Sequence, residues 1–350
     1  MTSPHLIDSE GTSMSLTRTS EGATAAPAAE HPAAVVLTES EHAQVGALAD
    51  RLVGAAPAAT DDLQWIREVR DASAGLPLRL LAELRAFRHD AGPDGVLLVR
   101  NLPVVAADRT LPPTPMLAGS VERTATVAAA VVTAAMLQLG EVIAFRNEKT
   151  GALVQNVVPV PGQESQQSNA GSEVLEMHVE NAFHDNRPDY IGLMCVREDP
   201  SGEARLRTAS VRRALPLLSE QTRGVLAEAR FLTEAPPSFD GREGAAPAHP
   251  ILPGAPEDPD ILVDFHATHP LDGEAREAMA ELREVFLRVN TAVALLPGDL
   301  AVVDNRLAVH GRSPFVPRYD GTDRWLHRVY ASLDSRRNRP QRHAAGAVLD

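Results

Sequence analysis

"LEMHVENAFHDNRPDY", residues 175–190, decides how this chain is read. Leu175 to Glu180 alternates apolar and polar side chains, the pattern of a half-buried strand. On such a strand His178 and Glu180 lie two apart and leave the same face. An imidazole and a carboxylate on one face suit a metal, although polar residues at a sheet edge show the same spacing. A third ligand has to come from elsewhere, and "GDLAVVDNRLAVHGRSPF" offers His310. It follows a strand over Ala301–Asp304 and a short turn, with Gly311 letting the chain bend away. Two histidines and one carboxylate with open positions form the arrangement expected for an oxygen-activating iron(II) centre. Zinc accepts the same three ligands.

Arg324 lies fourteen residues beyond His310 and Arg328 four beyond that, in "RWLHRVYASL". Read as a strand, this segment puts Arg324, Leu326, Arg328 and Tyr330 on one face and Trp325 and His327 on the other. Two arginines on the inward face of a buried strand are unusual. Guanidinium holds carboxylates in bidentate fashion and keeps its charge at any relevant pH. The pair suits one carboxylate on a cosubstrate and one on a substrate. The alternative is that both arginines pair with the chain's own acids.

The 350 residues, 44% hydrophobic and 23% charged, suffice for a sizeable core. A formal charge of −14 argues against nucleic acid and anionic membranes as partners. The single cysteine, Cys195 in "IGLMCV", excludes a disulfide framework and reads as a small core residue. No apolar stretch is long enough to span a bilayer, and the acidic N-terminus lacks a secretory core, so a cytoplasmic location is expected.

Residues 1–34, rich in Ala, Ser, Thr and Pro, read as a disordered tail. Residues 35–350 read as one domain. Helices are expected over 38–52, with Thr38 and Glu41 as a capping box, over 76–87, and over the Ala-rich 122–140. Further helices are expected over 216–230 and 273–295. Strands are expected over 95–104, within 141–160, over 175–180, 190–196, 204–211 and 260–266, within 299–305, and over 324–333. Short strands outnumber helices after Gly140, so the expected class is mainly β with flanking helices, a sandwich or barrel.

Taken together, the H-x-E strand, "LVQNVVPV" and "SQQSNAGSEVLEMH" before it, and "VVDNRLAVHGRSPF" with "RWLHRVY" after it resemble the clavaminate synthase-like branch of iron(II)/2-oxoglutarate oxygenases. This branch includes asparagine, arginine and lysine hydroxylases of natural-product pathways, and the likeness covers about residues 94–335. The resemblance implies a double-stranded β-helix (jelly-roll) core. It implies His178, Glu180 and His310 as iron ligands, Arg324 on the distal carboxylate of 2-oxoglutarate, and Thr208 as a further cosubstrate contact. Arg328 would meet the substrate carboxylate, with Ser168 and Gln155 as other substrate contacts. The implied reaction uses O2 to hydroxylate an unactivated carbon of a free or carrier-bound amino acid. Relatives usually carry Asp after the ligand Glu, whereas this chain has Asn181.

Arginine hydroxylases of the branch pair the guanidinium with two acids on a strand like "DILVDFH". Here Asp264 is present, but His266 stands where the second acid would be. One acid suits a lysine-like or amide-like side chain ahead of arginine. Two other readings are open: desaturation or ring closure by the same cofactor chemistry, and a non-catalytic metal-binding jelly roll. Against the last, such a module has no use for an arginine grip after its final ligand.

Overall fold

The computed structural model describes residues 34–54, 59–106, 109–239, 247–342 and 346–350. The expected N-terminal tail lies outside them, up to Ala34, which opens an edge strand, Ala34–Val36.

The first helix, Glu39–Gly54, is fixed by the capping box legible in the sequence. The Glu41 N–H donates to Thr38 Oγ1 at 3.3 Å, and the Glu41 carboxylate accepts from the Thr38 N–H at 2.8 Å. A second helix, Leu63–Ser73, was not among the expected elements. Asp62 caps it, accepting from the N–H groups of Gln64 and Trp65, and the Trp65 indole donates to the Leu52 carbonyl at 3.0 Å. A third, Leu78–His89, follows. The Ala-rich helix is shorter than its composition suggests, Val127–Met136. Val121–Glu122 instead form a short strand against Val154–Val157, and Thr126 caps the helix start. All ten helix residues are buried, because alanines let the helix lie close against the sheet. At Gly192, below it, an added Cβ would come within 2.6 Å of Met136 Sδ.

Among the described residues two sheets carry the architecture. The larger has nine strands, with its central path running Ala34–Val36, Val96–Arg100, Leu300–Asp304, Tyr190–Arg197, Trp325–Ser332, Glu141–Phe145 and Val348–Leu349. The smaller orders Thr291–Val293, Leu206–Ser210, Ala308–Arg312 and Leu175–His178. One face of the larger sheet packs on the helices, with Val329 and Ala331 in that core. The other face, with Leu193, Leu326 and Tyr330, shares a second core with Leu206 of the smaller sheet. The alternation expected of Arg324 to Tyr330 is therefore present. The fold is mainly β with flanking helices.

Cys195 is fully buried as expected. Its thiol donates to the Leu295 carbonyl at 3.3 Å, and burial pushes it up to about 12. No helix among the described residues is long and apolar enough to cross a membrane.

Several expectations need correction. Residues 260–266 form no strand: the chain touches the smaller sheet through one bridge, His178 to Asp264, and then turns. The cause is Asp264 itself, whose Oδ1 accepts from the N–H groups of His266 (2.8 Å) and Ala267 (3.2 Å), closing an Asx turn. The long helix ends at Val289 and is followed by the strand Thr291–Val293. His310 is not beyond a strand but inside one, Ala308–Arg312. Gly311 serves close approach and not bending, since a Cβ there would sit 2.6 Å from the Leu175 carbonyl oxygen. Finally, the strand bearing His178 stops at that residue. Val179 N–H bonds to the Val263 carbonyl, and Asn181, at φ 52°, turns the chain away, so Glu180 lies beyond the ladder.

Candidate metal centre and active-site cavity

His310 lies directly across from His178 in register, and their ring centroids are 4.4 Å apart. Glu180 reaches back to them from beyond the strand end. One ligand atom from each of the three lies within 4.8 Å of the others. The His178 Nδ1–H donates to the Glu176 carbonyl at 2.9 Å, which leaves its Nε2 free. His310 Nε2 is 3.6 Å from Glu180 Oε2. Glu180 Oε2 and His310 Nδ1 are buried without a hydrogen-bond partner among the described residues. Orphaned buried polar atoms are costly unless something fills the place. Burial pushes Glu180 up, but Arg328 and the two histidines outweigh it and hold the carboxylate well below its usual range. Burial, then His178, holds His310 below its ordinary value, as the neutral imidazole that ligates. A buried carboxylate oxygen without a partner, facing two imidazoles, fits a divalent transition metal.

The cluster opens on a cavity of about 860 Å³ lined by both sheets. Its arginines come in two kinds. Arg324 and Arg312 are buried, and no acid among the described residues lies within ion-pairing distance of either. Arg312 donates to the Glu173 carbonyl at 3.0 Å and covers the Phe315 ring at 5.3 Å, while its Nε has no partner among the described residues. Burial, and next the Arg324 cation, pull the Arg312 guanidinium down to about 9. Such a pair calls for an anion from outside.

Arg328 is the opposite case. It donates to Glu180 Oε1 at 3.0 Å, to the Gln155 amide oxygen at 3.1 and 2.5 Å, and to Glu148, and it covers the Tyr330 ring at 4.8 Å. The Tyr330 hydroxyl also donates to Glu148, at 3.0 Å. These acids hold the Arg328 cation well above its ordinary range against burial.

The remaining expected residues fall in two groups. Ser168 and Asp264 line the cavity with Arg324 and Arg328. Ser168 sits in a tight loop where its Oγ accepts from the Ala170 N–H at 3.3 Å. Asp264 has its Oδ1 committed to its own turn, and its Oδ2 has no bond among the described residues. Gln155 is buried behind Arg328 and does not line the cavity. Thr208 stands opposite His310 in register, with its hydroxyl bonded to Thr291 at 2.9 Å, and does not line it either.

Sequence reasoning did not find Glu148. It follows the Glu141–Phe145 strand, and the positive φ of Lys149 (47°) and Thr150 (56°) turns the chain at the cavity edge. Nothing local marks it, because its partner Arg328 is 180 positions away. Arg312 was findable: it lies two residues from His310 on a strand and so shares that side.

A family model, "Taurine catabolism dioxygenase TauD, TfdA family", matches residues 64–330. The chain is 49% identical over 317 residues to an L-asparagine oxygenase of Streptomyces coelicolor, covering 90% of this chain and 94% of the relative. It is 36% identical to clavaminate synthase 2 of Streptomyces clavuligerus, covering 77% and 84%. A solved structure of asparagine oxygenase with Fe(II), 2S,3S-3-hydroxyasparagine and succinate superposes with a TM-score of 0.87 at 48% identity, covering 90% of this chain and 98% of that one. The chain belongs to the TauD/TfdA dioxygenase family, in its clavaminate synthase-like branch.

Proposed function

We propose that this chain hydroxylates free L-asparagine at its β-carbon, as an iron(II)- and 2-oxoglutarate-dependent oxygenase. The observation that carries the reading is one cavity lined by a His–Glu–His cluster, two buried arginines with no acid in ion-pairing range among the described residues, and an arginine already paired with acids. The extensive identity with an L-asparagine oxygenase supports the amide substrate. A non-catalytic module has no need of the arginines.

In this reading His178, Glu180 and His310 hold the metal and leave its other positions open. When bound there, iron(II) supplies oxygen activation coupled to oxidative decarboxylation of 2-oxoglutarate. Arg324, helped by Arg312, grips the distal carboxylate of the cosubstrate and so orients its other end toward the cluster. Arg328 and Glu148 form a ready-made receptor for an amino-acid zwitterion: carboxylate on the guanidinium, ammonium on the Glu148 carboxylate. Gln155 and Tyr330 orient these two groups from behind. At the far end Asp264 Oδ2 accepts from the side-chain amide. A carboxylate there disfavours aspartate by like-charge repulsion, and a single acid gives a guanidinium half of what it needs. Ser168 is read as a contact to the substrate backbone. Thr208 supports His310 from across the strand pair.

The same reading takes residues 35–350 as one oxygenase domain on a double-stranded β-helix, supported by the span of the family model and the two sheets sharing one cavity. The test is succinate release with each of asparagine, glutamine, aspartate, lysine, ornithine and arginine, followed by mass analysis. Asparagine should lead and gain one oxygen atom. A loss of two hydrogens would indicate desaturation, and a preference for lysine or arginine would overturn the amide assignment.

A further inference from the structure

We propose that Asn305 is the positioning residue of the carboxylate ligand, acting as a substitute strand for Glu180. This rests on the reading of Glu180 as a metal ligand. His178 and His310 are held by ladder hydrogen bonds on neighbouring strands, but Glu180 is two residues past the strand end and is followed at once by the left-handed Asn181. No ladder fixes it. In place of one, the Asn305 side chain accepts from the Glu180 N–H at 2.7 Å and donates to the Glu180 carbonyl at 3.0 Å. That is the pair of bonds a neighbouring strand would make, supplied by one amide group. Only an amide side chain offers acceptor and donor together in that geometry.

The clamp is itself anchored. The second Asn305 amide hydrogen goes to the Pro188 carbonyl at 2.9 Å, and its backbone N–H goes to the Asp189 carbonyl at 2.9 Å. Next in the turn, Arg306 pairs with Asp189 at 2.8 Å. Asn305 is fully buried, so water does not compete for these bonds. It lies in the turn between Leu300–Asp304 and Ala308–Arg312, five residues before His310. One turn therefore sets the strand of the second histidine and the backbone of the carboxylate. A fixed backbone lets the metal find its carboxylate in place instead of ordering it on binding.

Asn305→Asp keeps the shape and the acceptor but replaces both donations with lone pairs, and Asn305→Ala removes all three bonds. Cobalt(II) is titrated into the metal-free full chain and followed by its visible absorption, for the wild type, Asn305→Asp, Glu180→Ala and the double variant, with folding checked by circular dichroism. Asn305→Asp should weaken cobalt binding about 10- to 100-fold, the usual cost of losing a group that orients a ligand. On the Glu180→Ala background the same change should cost less than about 3-fold, because the two residues act as one unit. Unchanged affinity in Asn305→Asp, or an equal loss on both backgrounds, overturns the proposal. Glu180→Ala binding cobalt as tightly as wild type would instead remove the ligand reading beneath it. Hydrogen exchange on the wild-type chain needs no variant to fold: the Glu180 amide should exchange as slowly as the amides of Leu175–His178, and fast exchange there contradicts the clamp.

Discussion

The two ends of the cavity treat buried positive charge in opposite ways. Arg328 is surrounded by Glu180, Glu148 and the Gln155 amide, so its charge is neutralised before any ligand arrives. Arg324 and Arg312 are as deeply buried, with no acid in ion-pairing range among the described residues. In the proposed reading, this difference is how one cavity sorts two carboxylates. A zwitterion brings its own cation and can share the self-balanced end with Glu148. A dianion such as 2-oxoglutarate is drawn to the end where positive charge is uncompensated, while acids repel it from the other.

The most severe break of this arrangement is loss of a ligand. His178→Ala, Glu180→Ala or His310→Ala should reduce substrate-dependent succinate formation to background while the circular dichroism spectrum is retained. Activity at the wild-type level in any one of them would remove that residue from the ligand set.

Next in size are the arginines, where the comparison predicts opposite signs. Arg328→Ala strips the buried Glu180 carboxylate of its guanidinium and leaves the half-buried Glu148 with only the Tyr330 hydroxyl, so ligand-free stability should fall by about 3–5 kcal/mol. Arg324→Met removes an uncompensated cation and fills its volume, so the ligand-free protein should be as stable as wild type or more so. The KM for 2-oxoglutarate should nevertheless rise about 30-fold or more, from a loss of at least about 2 kcal/mol. Denaturant titration without ligand and steady-state kinetics check both halves. Equal destabilisation by the two changes would erase the distinction between the ends.

A smaller effect concerns the substrate end. Asp264→Asn should lower kcat/KM for asparagine about 10-fold, through loss of a charge-assisted hydrogen bond of about 1.5 kcal/mol, and should ease discrimination against aspartate. Competition between the two substrates measures it. Unchanged selectivity would move far-end recognition away from Asp264.

How much of this was legible in the sequence follows the range of the forces involved. The Thr38–Glu41 capping box and the alternation from Arg324 to Tyr330 are local patterns and are present as read. The helix Leu63–Ser73 was equally local, with Asp62 as cap and Trp65, Ile66 and Val69 on one face, and was overlooked. "DILVDFH" has the composition of a strand, but the Asp264 side chain captures the next two N–H groups and bends it. At the site, His178, Glu180, His310, Arg324 and Arg328 stand on recognisable motifs and do converge. Glu148 and Asn305 were invisible because their partners lie 180 and 125 positions away, and nothing in their neighbourhood marks them. The motif places Gln155 and Thr208 at bound substrate and cosubstrate, whereas neither lines the cavity: Gln155 lies against Arg328 and Thr208 stands opposite His310.

The central claim is that the uncompensated arginine end is where 2-oxoglutarate docks beside a metal held by the triad. It is tested most directly by adding 2-oxoglutarate to the anaerobic iron(II)-loaded protein and following the weak visible charge-transfer band that bidentate chelation produces. The wild type should develop the band at low cosubstrate concentration, and Arg324→Met should need about 30-fold more to reach half of it. No band in the wild type, or the same half-saturation in both proteins, would contradict the account.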